Sequence, residues 1–291
     1  MVLEACAELL PKLVAVAGQR AAPAFEPHFN ELAKRIAGDV PEPARSVAYA
    51  TIVEMIKAIG KVPFVAAVAP VILRGCVFEL RNAKTAGLRR NCVYCAGVIF
   101  EMFASSVDDA GKTELAEVLC LVLAKDETNA WREKDPGTRD NAAGAVARTL
   151  LASGSALARD EQIGPSLVAS LLRAIPLTSD FEECVSVYGG AVALLAMEGE
   201  VNGVGERRIG QLVHAFARIA EAEADRAARE PKQHQNGAEP GDATGPSLET
   251  LREIATAVRR ARNADPGAVD TAIAALSDAQ RNALTALLAA A

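Results

Sequence analysis

The segment that decides the fold is residues 88–106, LRRNCVYCAGVIFEMFASS. It opens with charged residues, continues with small apolar side chains at helical spacing, and ends in serines. Apolar residues that recur every three or four positions line one face of an α-helix. Three other segments share this pattern: residues 44–60, 138–154 and 181–199. Corresponding positions in the four segments lie 44, 50 and 43 residues apart, at Val47, Asn91, Asn141 and Cys184.

A second amphipathic helix precedes each of these four helices. The preceding helices are predicted at residues 25–38, 63–80, 112–126 and 164–177. The repeating unit is thus an outer helix, A, a short turn and an inner helix, B. Periods of roughly 40–47 residues are typical of HEAT and armadillo arrays. We therefore predict an all-α fold, a right-handed α-α superhelix (a HEAT/armadillo-type solenoid) of about five to six helical hairpins.

The two ends of the array differ from its middle. Residues 2–18 have the pattern of a B helix without its A partner, so we expect an exposed apolar stripe there and a chain cut from a longer array. Residues 229–247 are polar and rich in glycine and proline, which predicts a disordered loop. The predicted domains are a solenoid over residues 1–228, this loop, and capping helices of the same solenoid over residues 248–291.

The pattern predicts helices on both sides of this loop. One helix is predicted before it, at residues 204–228. Three helices are predicted after it, at residues 247–262, 265–277 and 277–290. Ser277 and Gln280 have the spacing of a capping box, which predicts the start of the last helix.

Composition and charge restrict the classes of partner. Hydrophobic residues make up 51 % of the 291 residues and aromatic residues only 4 %, which suits closely packed helices. The net charge of −6 disfavours direct binding of nucleic acid. Residues 101–206 hold 8 basic and 18 acidic residues, a net charge of −10, whereas residues 1–100 have a net charge of +4. This acidic middle is either the footprint of a basic partner or an ordinary solvated surface.

A membrane partner is not predicted. Spanning a bilayer takes roughly 20 consecutive apolar residues. The stretch that comes closest, residues 62–77, is interrupted by Arg74.

The sequence offers no pattern that is typical of catalysis or of metal binding. Its six cysteines lie mostly inside apolar runs, as reduced thiols do in cytosolic or nuclear proteins. Cys92 and Cys95 form a Cys-x-x-Cys inside a helix, with no preceding strand and no second such pair, so we interpret them as packing residues. His28, His214 and His234 lack the spacing of metal ligands. We therefore predict that the protein is not an enzyme and uses no cofactor.

Two kinds of residue are candidates for contact with a partner. Trp131, the only tryptophan, lies in the polar segment 126–137, where it either packs back onto the array or anchors an interface. Acidic residues stand at the starts of B helices: Asp140, Asp180, Glu182 and Glu183. They either cap these helices or bind lysine and arginine side chains of a cargo protein, and both roles are compatible.

Basic residues recur at B-helix starts as well. Arginines occupy matching positions of three B helices: Arg45, Arg89 and Arg139. We expect them to pair with neighbouring acids as a structural ladder between B helices. Such a ladder would hold the array together and would not contact a partner.

Three segments of the chain resemble a known family. They are RRNCVYCAGVIFEMF, TRDNAAGAVARTLLAS and SLLRAIPLTSDFEECVSVYGG. Together with SDAQRNALTALL near the end, they are similar to the C-terminal HEAT repeats of the importin beta (karyopherin beta) family, in the importin-four branch. The resemblance covers nearly the whole chain and is clearest over residues 40–200.

The resemblance implies a nuclear transport receptor found in both cytoplasm and nucleus. Such receptors bind basic cargo, including histones and ribosomal proteins, contact phenylalanine-glycine nucleoporins, and release cargo to the GTPase Ran. Ran binds mainly to N-terminal repeats of the full-length family and so is not expected to bind this region. The alternative is a general HEAT scaffold subunit of phosphatase or condensin type. A continuous acidic inner groove favours the receptor, and a mixed surface with hydrophobic ridges favours the scaffold.

Overall fold

The computed structural model of the protein describes residues 2–36, 39–124, 133–152, 157, 160–198, 205–229 and 245–290. This described part of the chain is helical and contains no strand. Its α-helices are α1 (Val2–Ala17), α2 (Ala22–Arg35), α3 (Glu42–Ile59), α4 (Pro63–Asn82), α5 (Ala86–Phe103), α6 (Asp109–Val122), α7 (Pro136–Ala152), α8 (Gly164–Ala174), α9 (Cys184–Glu198), α10 (Gly205–Arg229), α11 (Leu248–Ala264), α12 (Pro266–Ala274) and α13 (Asp278–Ala290).

Local chemistry sets where these helices begin. Pro63 opens α4, at a position where the missing N–H leaves no helical hydrogen bond unmade. Asp108 caps α6, because its carboxylate accepts a 2.8 Å hydrogen bond from the N–H of Gly111. The predicted capping box opens α13: Gln280 N–H donates to Ser277 Oγ (3.2 Å) and Ser277 N–H donates to Gln280 Oε1 (3.4 Å).

The observed helices begin and end within four residues of the predicted bounds, and several end three or four residues early, α6 and α8 among them. The pattern predicted a helix to residue 177, but α8 ends at Ala174. Pro176 explains the early end, because proline disfavours helical backbone at the residue before it. Most of the predicted loop, residues 230–244, lies outside the described residues, as does Trp131.

The chain divides into two compact units, residues 1–170 and 171–291. In the first unit, the B helices α1, α3, α5 and α7 contact one another in chain order. The A helices lie beside them: α2 packs on α3, α4 packs on α5 and α6, and α6 packs on α7. The HEAT-type, all-α fold expected from the repeats is thereby confirmed. The predicted domain limits at residues 228 and 247 stay predictions.

The core of the first unit is densest around α5. Its side chains Cys92, Val93, Ile99 and Phe100 are all 0 % exposed. Close approach of α5 to α7 requires a residue without a side chain at Gly97, since a Cβ there would lie 2.8 Å from the Cα of Ala145. The glycine inside this B helix therefore serves helix packing.

The second unit pairs its helices in the same alternating way. The B helix α9 lies beside α11, and α10 contacts α9, α12 and α13. Helix α10 buries one apolar face, which includes Leu212, Val213 and Phe216. Its opposite face exposes His214, as expected for an amphipathic outer helix.

Two helices of the first unit, α1 and α4, carry large apolar residues that are more than half exposed. On α1, Leu9, Leu13 and Val16 are exposed by 57, 57 and 91 %, so the apolar stripe expected on this helix is present. Helix α4 is long and apolar enough to cross a membrane, although 44 % of its most apolar window is buried inside the protein. A core helix has the same length and composition, and α4 packs against α5 and α6.

Candidate protein-interaction surfaces

A buried ion pair joins the start of α3 to the end of α4. The Arg45 guanidinium donates to both carboxylate oxygens of Glu79, from Nε at 2.7 Å and from Nη2 at 3.1 Å. It also donates to the carbonyl of Val40, just before α3. The bonds to Glu79 raise the pKa of Arg45 above its usual value. This two-pronged geometry fixes the end of an A helix against the start of a B helix.

The same arrangement recurs 44 residues later. Arg89 donates to both carboxylate oxygens of Glu133, and its Nη1 donates to the carbonyl of Ala83 at 2.9 Å. Burial opposes ionisation of Glu133, but the bonds from Arg89 and from backbone N–H groups lower the pKa of this carboxyl overall. Arg139 repeats the backbone contact, because its Nη1 donates to the carbonyl of Glu133 at 3.5 Å.

The expected arginine ladder is thus present in part and differs in one respect. Arg45 and Arg89 pair with acids, as predicted. The prediction that these acids lie on neighbouring B helices is wrong, because Glu79 lies at the end of α4 and Glu133 lies before α7. The reason is geometric. The start of each B helix lies beside the end of the A helix that follows it in the chain, or beside the residues just after that A helix, so the acid comes from there.

Other polar side chains join neighbouring B helices directly. The Asn91 amide on α5 donates to the Ser46 carbonyl (3.0 Å) and hydroxyl (2.9 Å) on α3. Arg90 on α5 pairs with Asp135, just before α7, at 2.9 Å. Burial opposes ionisation of Asp135, yet the hydrogen bonds from Arg90 and Thr138 lower its pKa to about 2.

Charges of both signs meet around Tyr94 on α5. Lys57 of α3 donates a 2.7 Å hydrogen bond to the Tyr94 hydroxyl, and the Lys57 ammonium lies 5.3 Å from the ring centre. The Arg148 guanidinium of α7 lies 5.3 Å from the same ring. Lys57 also pairs with Glu54, and Arg148 pairs with Glu101. In the described part of the first unit, this inner surface is therefore mixed in charge.

The four acids predicted to bind cargo lie in different environments. Asp140 and Glu183 are each only 3 % exposed. Asp180 is half-buried and Glu182 is exposed. A partner docking on this surface can reach Asp180 and Glu182 but not the two buried carboxylates, so the hypothesis of direct cargo contact narrows to these two. Trp131 lies outside the described residues and stays a candidate anchor.

Sequence reasoning missed a small cavity on the outer helices of the first unit. The cavity, of about 150 Å³, lies between α4 and α6. Its lining includes apolar residues (Leu73, Val77, Val107) and charged residues (Arg74, Asp108, Glu114). Nearby on α4, Val71 and Phe78 are exposed by 55 and 56 %. The available signal was the spacing of these two residues, which lie seven apart on one helix face.

The second unit has a larger groove between α9 and α11. Its volume is about 760 Å³. Its α9 wall is apolar and contains Val192 and Ala196, whereas α11 contributes charges of both signs, among them Glu253 and Arg260. This groove is a surface of mixed chemistry, in which two acids, Glu249 and Glu253, are balanced by two bases, Arg252 and Arg260.

The structure offers no sign of a metal centre in the residues that it describes. No three His, Cys, Asp or Glu side chains among them are grouped so as to hold a metal ion. His28 and His214 are both exposed.

Two curated proteins are similar to this chain. Importin-4 of Mus musculus is 32 % identical over 192 residues, which cover 64 % of this chain and 16 % of that protein. Importin-4 of Homo sapiens is 30 % identical over 190 residues, with the same coverages of 64 % and 16 %. The chain thus spans about a sixth of the length of the relatives that it matches. No family model matches the chain. Its helical hairpins, their repeat spacing and these two relatives all agree with a similarity to the importin beta family.

Proposed function

We propose that this chain is a cargo-binding segment of a nuclear import receptor that carries basic proteins such as histones or ribosomal proteins. The observation that carries the proposal is the charge of its surface, together with its similarity to importins. Among the described residues of the acidic middle, exposed acids outnumber exposed bases by seven to two. The acids are Glu101, Asp108, Asp109, Glu117, Asp160, Glu161 and Glu182, and the bases are Lys134 and Arg173.

Exposed carboxylates suit a basic partner for a physical reason. They attract lysine and arginine side chains over distances of about 10 Å at ordinary salt, and added salt screens that attraction. Binding of a basic cargo should therefore weaken steadily as salt rises. Within this surface we propose Asp180 and Glu182 as direct contacts.

The test is a binding series with a histone-tail peptide over a range of salt concentrations. The double variant Glu117→Lys with Glu161→Lys should weaken binding at least several-fold at low salt and little at high salt. A matched control, Glu26→Lys with Glu253→Lys, makes the same change in charge outside the acidic middle. Equal loss in both double variants, or binding that ignores salt, would contradict the proposal.

A narrower variant tests the two proposed contacts. Asp180→Asn with Glu182→Gln removes two charges and keeps the shape of both side chains. We expect a smaller loss of peptide binding than in the charge-reversed protein, because charge is removed and not inverted. Unchanged binding would show that cargo uses other carboxylates.

A second partner class is proposed for the outer helices of the first unit. The cavity between α4 and α6 is lined by Leu73, Val77 and Val107 together with charged residues, and its volume is about 150 Å³. Phe78 and Val71 are exposed elsewhere on α4. A phenylalanine-glycine repeat of a nucleoporin would place its phenylalanine there and bury apolar surface.

The matched probe for this surface is a pair of repeat peptides. A phenylalanine-glycine peptide should bind, and a serine-glycine peptide of equal length should not. Phe78→Ser should weaken binding of the first peptide several-fold without unfolding the protein, because Phe78 is 56 % exposed. Equal binding of both peptides would contradict the assignment.

Shuttling between cytoplasm and nucleus follows from these two proposals. Contact with Ran is not proposed for this region. A fluorescent fusion of the chain should accumulate at the nuclear rim if it binds nucleoporins, and Phe78→Ser should reduce that rim signal.

The second candidate function is a general HEAT scaffold in a multiprotein complex. The observation that favours it is the mixed, paired charge around Tyr94 on the inner helices of the first unit. A scaffold would bind its partner through apolar ridges and would be insensitive to salt. The salt series described above therefore separates the two candidates.

A further inference from the structure

Four charged side chains of α11 line the groove of the second unit without a partner. They are Glu249, Arg252, Glu253 and Arg260. All four are exposed, and none makes an ion pair or a side-chain hydrogen bond with another residue that the structure describes. The other charges of this helix are bonded to neighbouring helices: Arg259 donates to the Leu288 carbonyl on α13, and Arg262 pairs with Asp270 on α12 at 2.8 Å. Within the described chain, the charges of α11 that lack a partner are thus the ones that line the groove.

The order of these charges along α11 defines the chemistry of a partner. Glu249 and Glu253 lie one turn apart on the same face, where like charges repel each other. Arg260 follows seven residues after Glu253, about 10 Å further along the helix axis. A partner that fits both places has a basic residue opposite the two glutamates and an acidic residue opposite Arg260. With Arg252 the four charges sum to zero, so a uniformly basic partner gains no net attraction here.

The shape of the groove suits an α-helix. Its α11 wall extends from Glu249 to Ala264, about 22 Å along the axis. Short side chains such as Ala193 on α9 and Ala257 on α11 leave an opening of about 760 Å³ between the two helices. Large apolar side chains of a third helix, repeated every three or four residues, would fill this opening, and the charges beside them would meet the free charges of α11.

We propose that the groove between α9 and α11 is a docking site for an amphipathic helix of another protein. The contact face of that helix carries large apolar residues, and the charges beside this face change from basic to acidic over about two turns. This proposal does not rest on the proposed function, because it requires a partner of balanced charge, whereas the proposed cargo is basic throughout.

Three synthetic peptides with the same apolar face test the charge of the partner. Each has about 20 residues, enough to form a helix in isolation, with leucine at every third or fourth position. The mixed peptide has lysines in one half and glutamates in the other, and the two comparison peptides have only lysines or only glutamates. Binding of each to the intact chain is measured by fluorescence anisotropy at low salt.

A variant that fills the groove identifies where each peptide binds. Ala257→Leu should lower the affinity for the mixed peptide several-fold and leave the affinities for the other two nearly unchanged. The comparison is made between variants because a lysine peptide can also bind the exposed acids of residues 101–206. Ala224→Leu, at an exposed position of α10 outside the groove, is the matched control and should change none of the three affinities.

A charge reversal tests the predicted order of charges without filling the groove. Arg260→Glu replaces a base with an acid, so the mixed peptide should bind several-fold more weakly and the lysine peptide more tightly. Arg229→Glu makes the same change at an exposed arginine at the end of α10 and should alter both affinities much less. Circular dichroism of each variant confirms that it is folded.

Three results would overturn the proposal. The first is unchanged binding of the mixed peptide by folded Ala257→Leu and Arg260→Glu proteins. The second is an equal loss of the mixed and lysine peptides in Ala257→Leu, which would assign the groove to a basic cargo. The third is equally tight binding of a mixed peptide with proline at its centre, because proline breaks the helix. Failure of the histone-tail peptide to bind would leave these comparisons intact, so the two proposals can fail separately.

Discussion

Neighbouring B helices are joined by different means in the two units. Between α3 and α5, directed polar bonds dominate the surface, such as Asn91 to Ser46 and Lys57 to Tyr94. Between α9 and α11, small apolar side chains such as Ala193 and Ala257 line an open groove of about 760 Å³. Directed bonds of this kind fix the geometry of the side chains that they join. The first unit therefore joins these B helices by specific side-chain bonds, whereas the second leaves an open groove between them.

The largest expected effect comes from breaking the Arg45–Glu79 pair of the first unit. Glu79→Ala leaves the Arg45 charge buried without its partner, so we expect a loss of about 3–5 kcal/mol in the free energy of unfolding. Urea denaturation followed by circular dichroism measures it. Glu114→Ala, which removes the exposed partner of Arg81, is the matched control, with an expected loss of about 0–1 kcal/mol. Similar losses would show that burial of the pair is unimportant.

The same substitution, glycine to alanine in a B helix, compares how closely the helices pack in the two units. Gly97→Ala should destabilise the protein by about 1–3 kcal/mol, because the new Cβ meets the Ala145 backbone at 2.8 Å. Gly189→Ala on α9 meets no atom within 4 Å and should stabilise its helix by up to about 1 kcal/mol. The melting temperatures of both variants, measured against wild type, provide the test. If both substitutions shift the melting temperature in the same direction, the two units do not differ in how closely these helices pack.

The pH dependence of stability tests a second polar link of the first unit. The pKa of Asp135 is about 2 in the folded protein, below its usual 3.8, so its ionised form stabilises the fold at neutral pH. That contribution should be lost as pH falls from about 4 towards 2, and it amounts to about 1–2 kcal/mol. Asp135→Asn should flatten the stability curve in this range. An unchanged slope would show that the link to Arg90 contributes nothing.

The smallest effect is expected where the first unit buries a polar atom without a bond. Tyr49→Phe removes the unpartnered hydroxyl and leaves the ring, so stability should stay the same or rise by up to about 1 kcal/mol. Thermal melting against wild type measures it. A loss above 1 kcal/mol would mean that the buried hydroxyl makes a favourable contact.

The helices were predictable from sequence because their signals are local. Apolar spacing, Pro63 and the Ser277–Gln280 pair act within a few residues, and each is confirmed in place. The alternation of A and B helices followed from the period of the repeats. The early end of α8 was also readable, since Pro176 is in the sequence.

The side-chain partners were not predictable, because they depend on contacts between distant residues. Nothing near Arg45 indicates that its acid is Glu79, which lies 34 residues away. Asp140 is acidic and near a helix start, like an exposed capping residue, yet α7 is enclosed and buries it.

The arginine contacts with upstream carbonyls bear on how the repeats vary in length. Arg89 and Arg139 are 50 residues apart, six more than Arg45 and Arg89. The extra residues of the longer repeat lie between α6 and Glu133. The Glu133 N–H donates to the Val122 carbonyl at the end of α6 (3.2 Å), and the Glu133 carbonyl accepts a hydrogen bond from Arg139. Because the Glu133 N–H ties the chain before α7 to the end of α6, we expect both helices to keep their places when the number of residues between Val122 and Glu133 changes. This junction is a place where evolution, or a protein engineer, can graft new sequence.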